Sequence, residues 1–222
     1  NEWYGYVSDG IYQTQEEVDN SATYNSSVKV GDIRYKDISG PDGVPDGKIN
    51  SDDKVPLGNS LPRWQYGGTV NLGWKGIDFS MAFQGIGRRT SYMATEMVQP
   101  IRDNYGNIPA IIDGKYWSPF NTDEQNRNAK YPRLSNTGKS NNYQTSDFWL
   151  FNGGYFRLKN VTLGYTLPRK WTQKIRMSNV RLYVSASDLF CISDYPKGWD
   201  PEMGVTSYPI TTSILVGLSL KL

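Results

Sequence analysis

Apolar and polar residues alternate with a period of two in five separate stretches of this chain, and polar, turn-rich sequence divides them. In residues 155–168, Val161, Leu163, Tyr165 and Leu167 fall on one side and Asn160, Thr162, Gly164 and Thr166 on the other, as the successive side chains of a β-strand must. Phe156 and Leu158 are out of phase with Val161, which predicts a bulge between them. Residues 65–75 set Tyr66, Gly68, Val70, Leu72 and Trp74 against Gln65, Thr69, Asn71 and Lys75. Residues 77–84 repeat the pattern, with Ile77, Phe79, Met81 and Phe83 against Asp78, Ser80, Ala82 and Gln84. Lys75 and Gly76 alone separate these two, so they form a hairpin with a very short turn. Val180, Leu182, Val184 and Ala186 oppose Arg181, Tyr183, Ser185 and Ser187 on a fourth strand, which Cys191 ends. On the fifth, Ile214, Val216, Leu218, Leu220 and Leu222 oppose Ser213, Gly217, Ser219 and Lys221, and Leu215 alone breaks the pattern. Strands of roughly 9–11 residues with one apolar face suit a tilted membrane crossing, although a sandwich strand alternates too.

Between the strands the alternation stops. Residues 1–62 are rich in Gly, Asp, Asn, Ser and Pro and read as a structured loop region, with a helical turn from Glu16-Glu17-Val18 and short strands at 30–35 and 55–57. Residues 87–147 form a second long polar stretch, with a helix expected over 90–99, far beyond the usual connection of about 2–6 residues. The turn after residue 168 carries Arg169, Lys170, Lys174 and Arg176, a charge run whose ordinary fate is solvation. If the chain ends inside, the short turns lie on one side of the sheet and the 87–147 and 190–210 loops on the other, the arrangement of bacterial barrels.

Composition narrows the classes. No run of about 20 apolar residues is present for a membrane helix, while 16 Tyr, 7 Trp and 7 Phe suit the aromatic girdles of a barrel. The 24 basic and 22 acidic residues are scattered, without the basic stripe that nucleic acid requires. There is no His, hence no ready general base or zinc ligand. Cys191, the one cysteine, has no internal partner and reads as a small packed hydrophobe. Glu16, Glu17, Asp123 and Glu124 pair acids in loops, but nothing resembles a nucleophile elbow or phosphate loop; an enzyme is not expected.

The wording FRLKNVTLGYTLP, followed by VRLYVSASDLF and GWDPE, resembles the end of SusC/RagA-type TonB-linked outer-membrane transporters of Bacteroidetes type. So do, upstream, GYVSDGIYQTQEEV, GDIRYKDISG, LGNSLPRWQYGGTVNLGWKGIDFSMAFQGIG, KYWSP and KYPRL. The resemblance implies an all-β fold, an antiparallel transmembrane β-barrel segment comprising the last five or so strands of a barrel of about 22 strands. It implies that residues 1–62 are an extracellular loop region and residues 63–222 are barrel strands with a long extracellular loop at 87–147. It further implies a C-terminal fragment of a nutrient importer in the Gram-negative outer membrane, its loops on the cell surface. Its partners would be a SusD-like lipoprotein over the mouth, TonB-ExbB-ExbD acting through the missing N-terminal part, the remaining barrel and plug, the lipid bilayer, and oligosaccharide or peptide cargo.

One stretch looks like a metal loop. In residues 37–53, DISGPDGVPDGKINSDD, an EF-hand-like register opening at Asp42 places Asp46, Gly47, Lys48 (by its carbonyl), Asn50 and Asp53 at ligand and turn positions, with Val44 unable to ligate. A second register takes Asp37, Ser39 and Asp42 as the early ligands. Both are hard-oxygen sets suited to a structural calcium, and a plain Gly/Asp turn cluster is the competing reading. The competing function is a soluble, secreted, calcium-stabilised β-sandwich that binds carbohydrate.

Overall fold

The computed structural model describes residues 1–100, 106–135 and 141–222, so the expected loop 87–147 lies outside the described residues at 101–105 and 136–140. Eleven strands are found among the described residues. They are β1 (Glu2–Gly5), β2 (Ser8–Ile11), β3 (Ile33–Tyr35), β4 (Val55–Asn59), β5 (Gln65–Trp74) and β6 (Ile77–Ile86). After these come β7 (Thr90–Tyr92), β8 (Leu150–Asn152), β9 (Tyr155–Thr166), β10 (Asn179–Ser193) and β11 (Ser213–Lys221). The chain divides into two units, residues 1–61 with 90–151 and residues 62–89 with 152–222.

The second unit is one antiparallel sheet in the order β11-β10-β9-β6-β5. Its register puts like with like. Leu72 pairs with Phe79, Phe79 with Leu163, Leu163 with Val184 and Val184 with Val216, so one apolar row crosses all five strands. That face has no cover: Leu72 is 63% exposed, Leu163 53% and Val216 75%. A sheet in water buries such a face, whereas a sheet in lipid presents it. Toward one end Trp64, Tyr66, Phe156, Phe83 and Phe190 form a chain of ring contacts 4.9–6.5 Å apart. Trp74 and Tyr165 stand toward the other end, beside the short turns. Tyr66 and Trp74 on β5 are separated by about 26 Å at ~3.3 Å per residue, the scale of the apolar band of about 25 Å in a membrane barrel. β5 and β11 each have one neighbour among the described residues, so the sheet is open at both edges and is a barrel segment rather than a barrel.

The first unit has short β1–β4, β2–β3 and β7–β8 pairs around small cores, one of them built on Tyr12, Val18 and Val28. Its centre is polar. Asp32, 2% exposed, receives N–H groups from Lys29 and Asn142 and an ion pair from Arg133. Asn142 accepts from the Ile33 amide at 2.8 Å, and its carbonyl accepts from the Trp149 indole at 2.7 Å. The buried carboxylate and amide of this knot are thus hydrogen-bonded, as an interior requires. The expected helix over 90–99 is instead a strand, Thr90–Tyr92, followed by one turn, Thr95–Val98. The expected strand at 30–35 is confined to Ile33–Tyr35, because the chain turns through a left-handed Gly31 (φ 88°) just before it.

Candidate functional site

The polar face of the sheet is where side-chain chemistry gathers. Going from β6 to β9 to β10, the strands gain residues. Ala82-Phe83 on β6 face Asn160 and Leu158 on β9, leaving Lys159 over. Asn160 and Leu158 face Ser187 and Phe190 on β10, leaving Asp188 and Leu189 over. This is the bulge expected from the phase change, and it also carries β10 past Cys191 to Ser193. Asp188 takes the left-handed conformation (φ 49°), which Asp tolerates better than most residues.

The bulges turn charged residues onto the polar face. Lys159 Nζ donates to Asp188 Oδ1 at 2.7 Å and to Glu202 Oε2 at 3.3 Å. Arg157, 3% exposed, donates through Nη2 to both Asp200 oxygens at 2.6 Å, and its Nε lies 3.0 Å from Glu202 Oε1. Gln84 on β6 donates to Glu202 Oε1 at 3.0 Å. Arg89 donates to the Tyr195 hydroxyl and the Pro201 carbonyl at 3.0 and 3.1 Å. Asp200-Pro201-Glu202, the core of the GWDPE motif, is thereby fastened to the sheet. Burial pushes the Asp200 carboxyl up, but the hydrogen bonds from Arg157 and the Glu202 amide, with the charges of Arg157 and Lys159, outweigh it and hold the group below its ordinary value.

Nearer the short turns a second pair crosses a whole strand. Arg181 on β10 donates to Asp78 on β6, Nε to Oδ1 at 2.9 Å and Nη2 to Oδ2, over Gly164 of the intervening β9. A Cβ on Gly164 would stand 2.5 Å from Asp78 Oδ1 and 2.6 Å from Arg181 Nη2. The Arg181 guanidinium also lies 4.9 Å from the Tyr183 ring centre, and that ring occupies the space left by Gly217. Between the two clusters the wall is lined by hydroxyls and amides: Thr162 and Ser185 share a hydrogen bond of 2.9 Å, and Ser187 donates to Asn160 at 3.0 Å.

The residues expected of a calcium loop lie in the first unit and mostly bond to their own backbone. Asp53, fully buried, accepts the amides of Ile38 (2.7 Å), Ser39 (3.2 Å) and Asn50 (2.8 Å). Asp37 accepts those of Asp46 (3.3 Å) and Gly47 (2.6 Å), and Asp46 that of Lys48 (3.0 Å). Asn50 caps the turn Ser51–Asp53 through the Asp52 amide. The Ser39 hydroxyl donates to the Gly40 carbonyl at 3.4 Å, and Asp42 is exposed. Among the described residues no three or more His, Cys, Asp or Glu side chains converge to hold a metal ion. The paired acids Glu16-Glu17 and Asp123-Glu124 stand in the first turns of short helices, Gln15–Asp19 and Asp123–Arg127, where the helix dipole favours them.

Sequence reasoning did not find the Arg157 cluster or the Asp78–Arg181 pair. Their one sequence signal was charge on strands otherwise lined with Ser, Thr and Asn, namely Asp78, Arg157, Lys159 and Arg181.

No family model matches the chain. Over 99% of its length it is 27% identical to TonB-dependent receptor P3 of Formosa agariphila, and over 98% it is 27% identical to TonB-dependent receptor SusC of Bacteroides thetaiotaomicron. These matches cover 22% and 20% of the two receptors, so the chain spans about a fifth of the length of the curated relatives it matches. Among solved structures, that of the RagAB peptide transporter superposes on 99% of the chain with a TM-score of 0.67 and 19% identity, covering 22% of its own chain. RagAB in the open-open state gives 0.64, also at 19% identity; at that identity the likeness establishes the fold.

Proposed function

We propose that this chain, similar over nearly all its length to TonB-dependent receptors of the SusC/RagA type, builds part of the wall of an outer-membrane importer. The observation that carries the proposal is the sheet's two faces. An unbroken apolar row is exposed on one side and a hydrogen-bonded, charged lining lies on the other, on a chain related to receptors over nearly all its length. Unpaired edges at β5 and β11 would each leave backbone groups unsatisfied in lipid, at several kcal/mol per group, so other strands of the same receptor complete the sheet. Transport is then driven through TonB-ExbB-ExbD acting on an internal plug. A SusD-like lipoprotein covers the outer mouth, and the cargo is an oligosaccharide or peptide. Support for TonB coupling comes from the similarity to the TonB-dependent receptor SusC, and support for a peptide cargo from the similarity to the RagAB peptide importer.

Residues 1–62 and 87–147 are the outward parts in this reading, with 63–222 supplying the strands. Calcium at residues 37–53 is a proposal resting on the loop's oxygen-rich composition. The self-contained hydrogen bonding of Asp37 and Asp53 competes with it.

Fractionation of the source cells with an antibody to an outer-loop peptide at 113–131 tests the whole reading. An outer-membrane band of roughly a hundred kilodaltons, with the peptide accessible on intact cells, is the expected result. A soluble band of about 25 kDa, the mass of this chain alone, would instead support a secreted carbohydrate-binding sandwich.

A further inference from the structure

We propose that the short-turn rim of the sheet binds an anionic glycerophospholipid, its phosphate taken by the cations of the two short turns and an acyl chain lying in the adjoining apolar groove. This rests on the reading of the sheet as a membrane wall.

The rim is strongly one-signed. The turns joining β5 to β6 and β9 to β10, with the end of β11, carry Lys75, Arg169, Lys170, Lys174, Arg176 and Lys221, and all six are exposed. Among the described residues none of them is in an ion pair. No Asp or Glu occurs in residues 160–187 or 208–222, and the one acid of β5 and β6, Asp78, is already bonded to Arg181. At the far end of the same sheet the charges are mixed, with Asp188, Asp200 and Glu202 already bonded to Arg157 and Lys159. A rim of unpaired cations at a membrane surface attracts anionic headgroups.

Two further observations point to lipid. Trp171 and Trp74, 60% and 67% exposed, stand within the cationic turns, and tryptophan beside basic residues is an interfacial anchor. Lys75 occupies a two-residue hairpin turn at φ 47°, where Asn or Gly is sterically easier. Its ammonium is 4.9 Å from the Trp74 ring centre, so a cation is placed at the headgroup level at some steric cost.

Next to the rim the apolar face is grooved. A shallow trough of about 470 Å³ is lined by Ile77, Leu163, Tyr165, Leu182, Val184 and Val216. Ile77 follows directly on the Lys75-Gly76 turn, so the trough begins where the cations end. Lipid glycans also carry phosphates, but short turns of bacterial barrels face the inner leaflet, which commits the site to a glycerophospholipid.

The test uses the full-length receptor containing this chain, delipidated in detergent and titrated with phosphatidylglycerol, phosphatidylcholine or lipid A, with retained lipid read by native mass spectrometry. Two variants accompany it. One replaces Arg169, Lys170, Lys174 and Arg176 with Gln, and the other fills the trough with Val184→Phe and Val216→Phe. The expected result is preferential retention of phosphatidylglycerol that falls by up to about fivefold per cation removed, declines with salt, and also falls in the filled-trough variant. Equal retention of phosphatidylglycerol and phosphatidylcholine by the unmodified receptor overturns the proposal. So does a preference that survives both variants, or lipid A retained in place of phosphatidylglycerol. Failure of the receptor to fractionate with the outer membrane would overturn the membrane reading itself, a separate result.

Discussion

Lys159 and Asp188 are residues that neighbouring strands insert beyond each other's register, and they bond to one another, Nζ to Oδ1, at 2.7 Å. The bulges therefore supply both halves of an ion pair as well as bending the sheet. Arg157, itself buried, completes the cluster from within, and its loss would leave the partly buried Asp200 and Glu202 without their main counter-charge. Arg157→Met is expected to destabilise the receptor by about 3–5 kcal/mol and to open the 194–207 connection to protease. Lys159→Met, at a site 28% exposed, should cost about 1 kcal/mol or less. Denaturant unfolding in lipid, with limited proteolysis, reads both.

The faces of the sheet should differ in what they tolerate. Leu163→Arg on the apolar face is expected to cost about 2–4 kcal/mol if it lies near the bilayer midplane, while Asn71→Asp on the polar face leaves folding intact. Comparing folded yield by heat-modifiable gel mobility separates them, and equal behaviour would argue against lipid on the apolar side.

Asp78 and Arg181 should be coupled only while residue 164 is glycine. Gly164→Ala places a methyl between them and is expected to destabilise by about 1–3 kcal/mol. In a double-mutant cycle with Asp78→Asn and Arg181→Gln, the coupling present in the parent should vanish in the Gly164→Ala background.

Acid should release the 194–207 connection. Because the Asp200 carboxyl is held below its ordinary value in the folded state, its contribution is complete above the unfolded value of about 3.9 and is lost as pH falls through the lower folded value. Proteolysis of this connection by an acid-active protease is expected to stay flat down to about pH 4 and to rise below it. A rise beginning near pH 6 would point to another group.

Asp53 is expected to matter whether or not calcium is present. Asp53→Ala strands the Ile38, Ser39 and Asn50 amides and should cost about 2–4 kcal/mol in the first unit. Asp46→Ala, which loses one exposed amide bond, should cost far less. Metal analysis of both variants beside the parent gives the calcium content independently: loss of one bound calcium in both supports the ion, and unchanged content removes it from this loop.

The five long strands were legible because each carries its own period of two. Local chemistry alone set the Lys75-Gly76 turn and the residue 159 bulge, so these too could be read. β10 was read to Cys191 and runs two residues further, to Ser193, and its inserted Asp188 and Leu189 interrupt the alternation that identifies a strand. The Arg157 and Asp78 clusters were not legible, since their members lie 43 and 103 residues apart and meet only once the sheet order is known. The loop acids misled in the opposite sense. Oxygen-rich spacing looks the same whether the oxygens face an ion or, as with Asp53, backbone amides.

Gly164 also bears on how the wall comes together. Alternation of faces forbids β9 to slip by one residue against its neighbours, but it is blind to a slip of two. A two-residue slip would bring Thr162 or Thr166 under the Asp78–Arg181 bridge, and neither leaves room for it. The glycine thus proofreads strand alignment at a spacing the hydrophobic pattern cannot check, and a misaligned wall would forfeit an ion pair before the barrel could close.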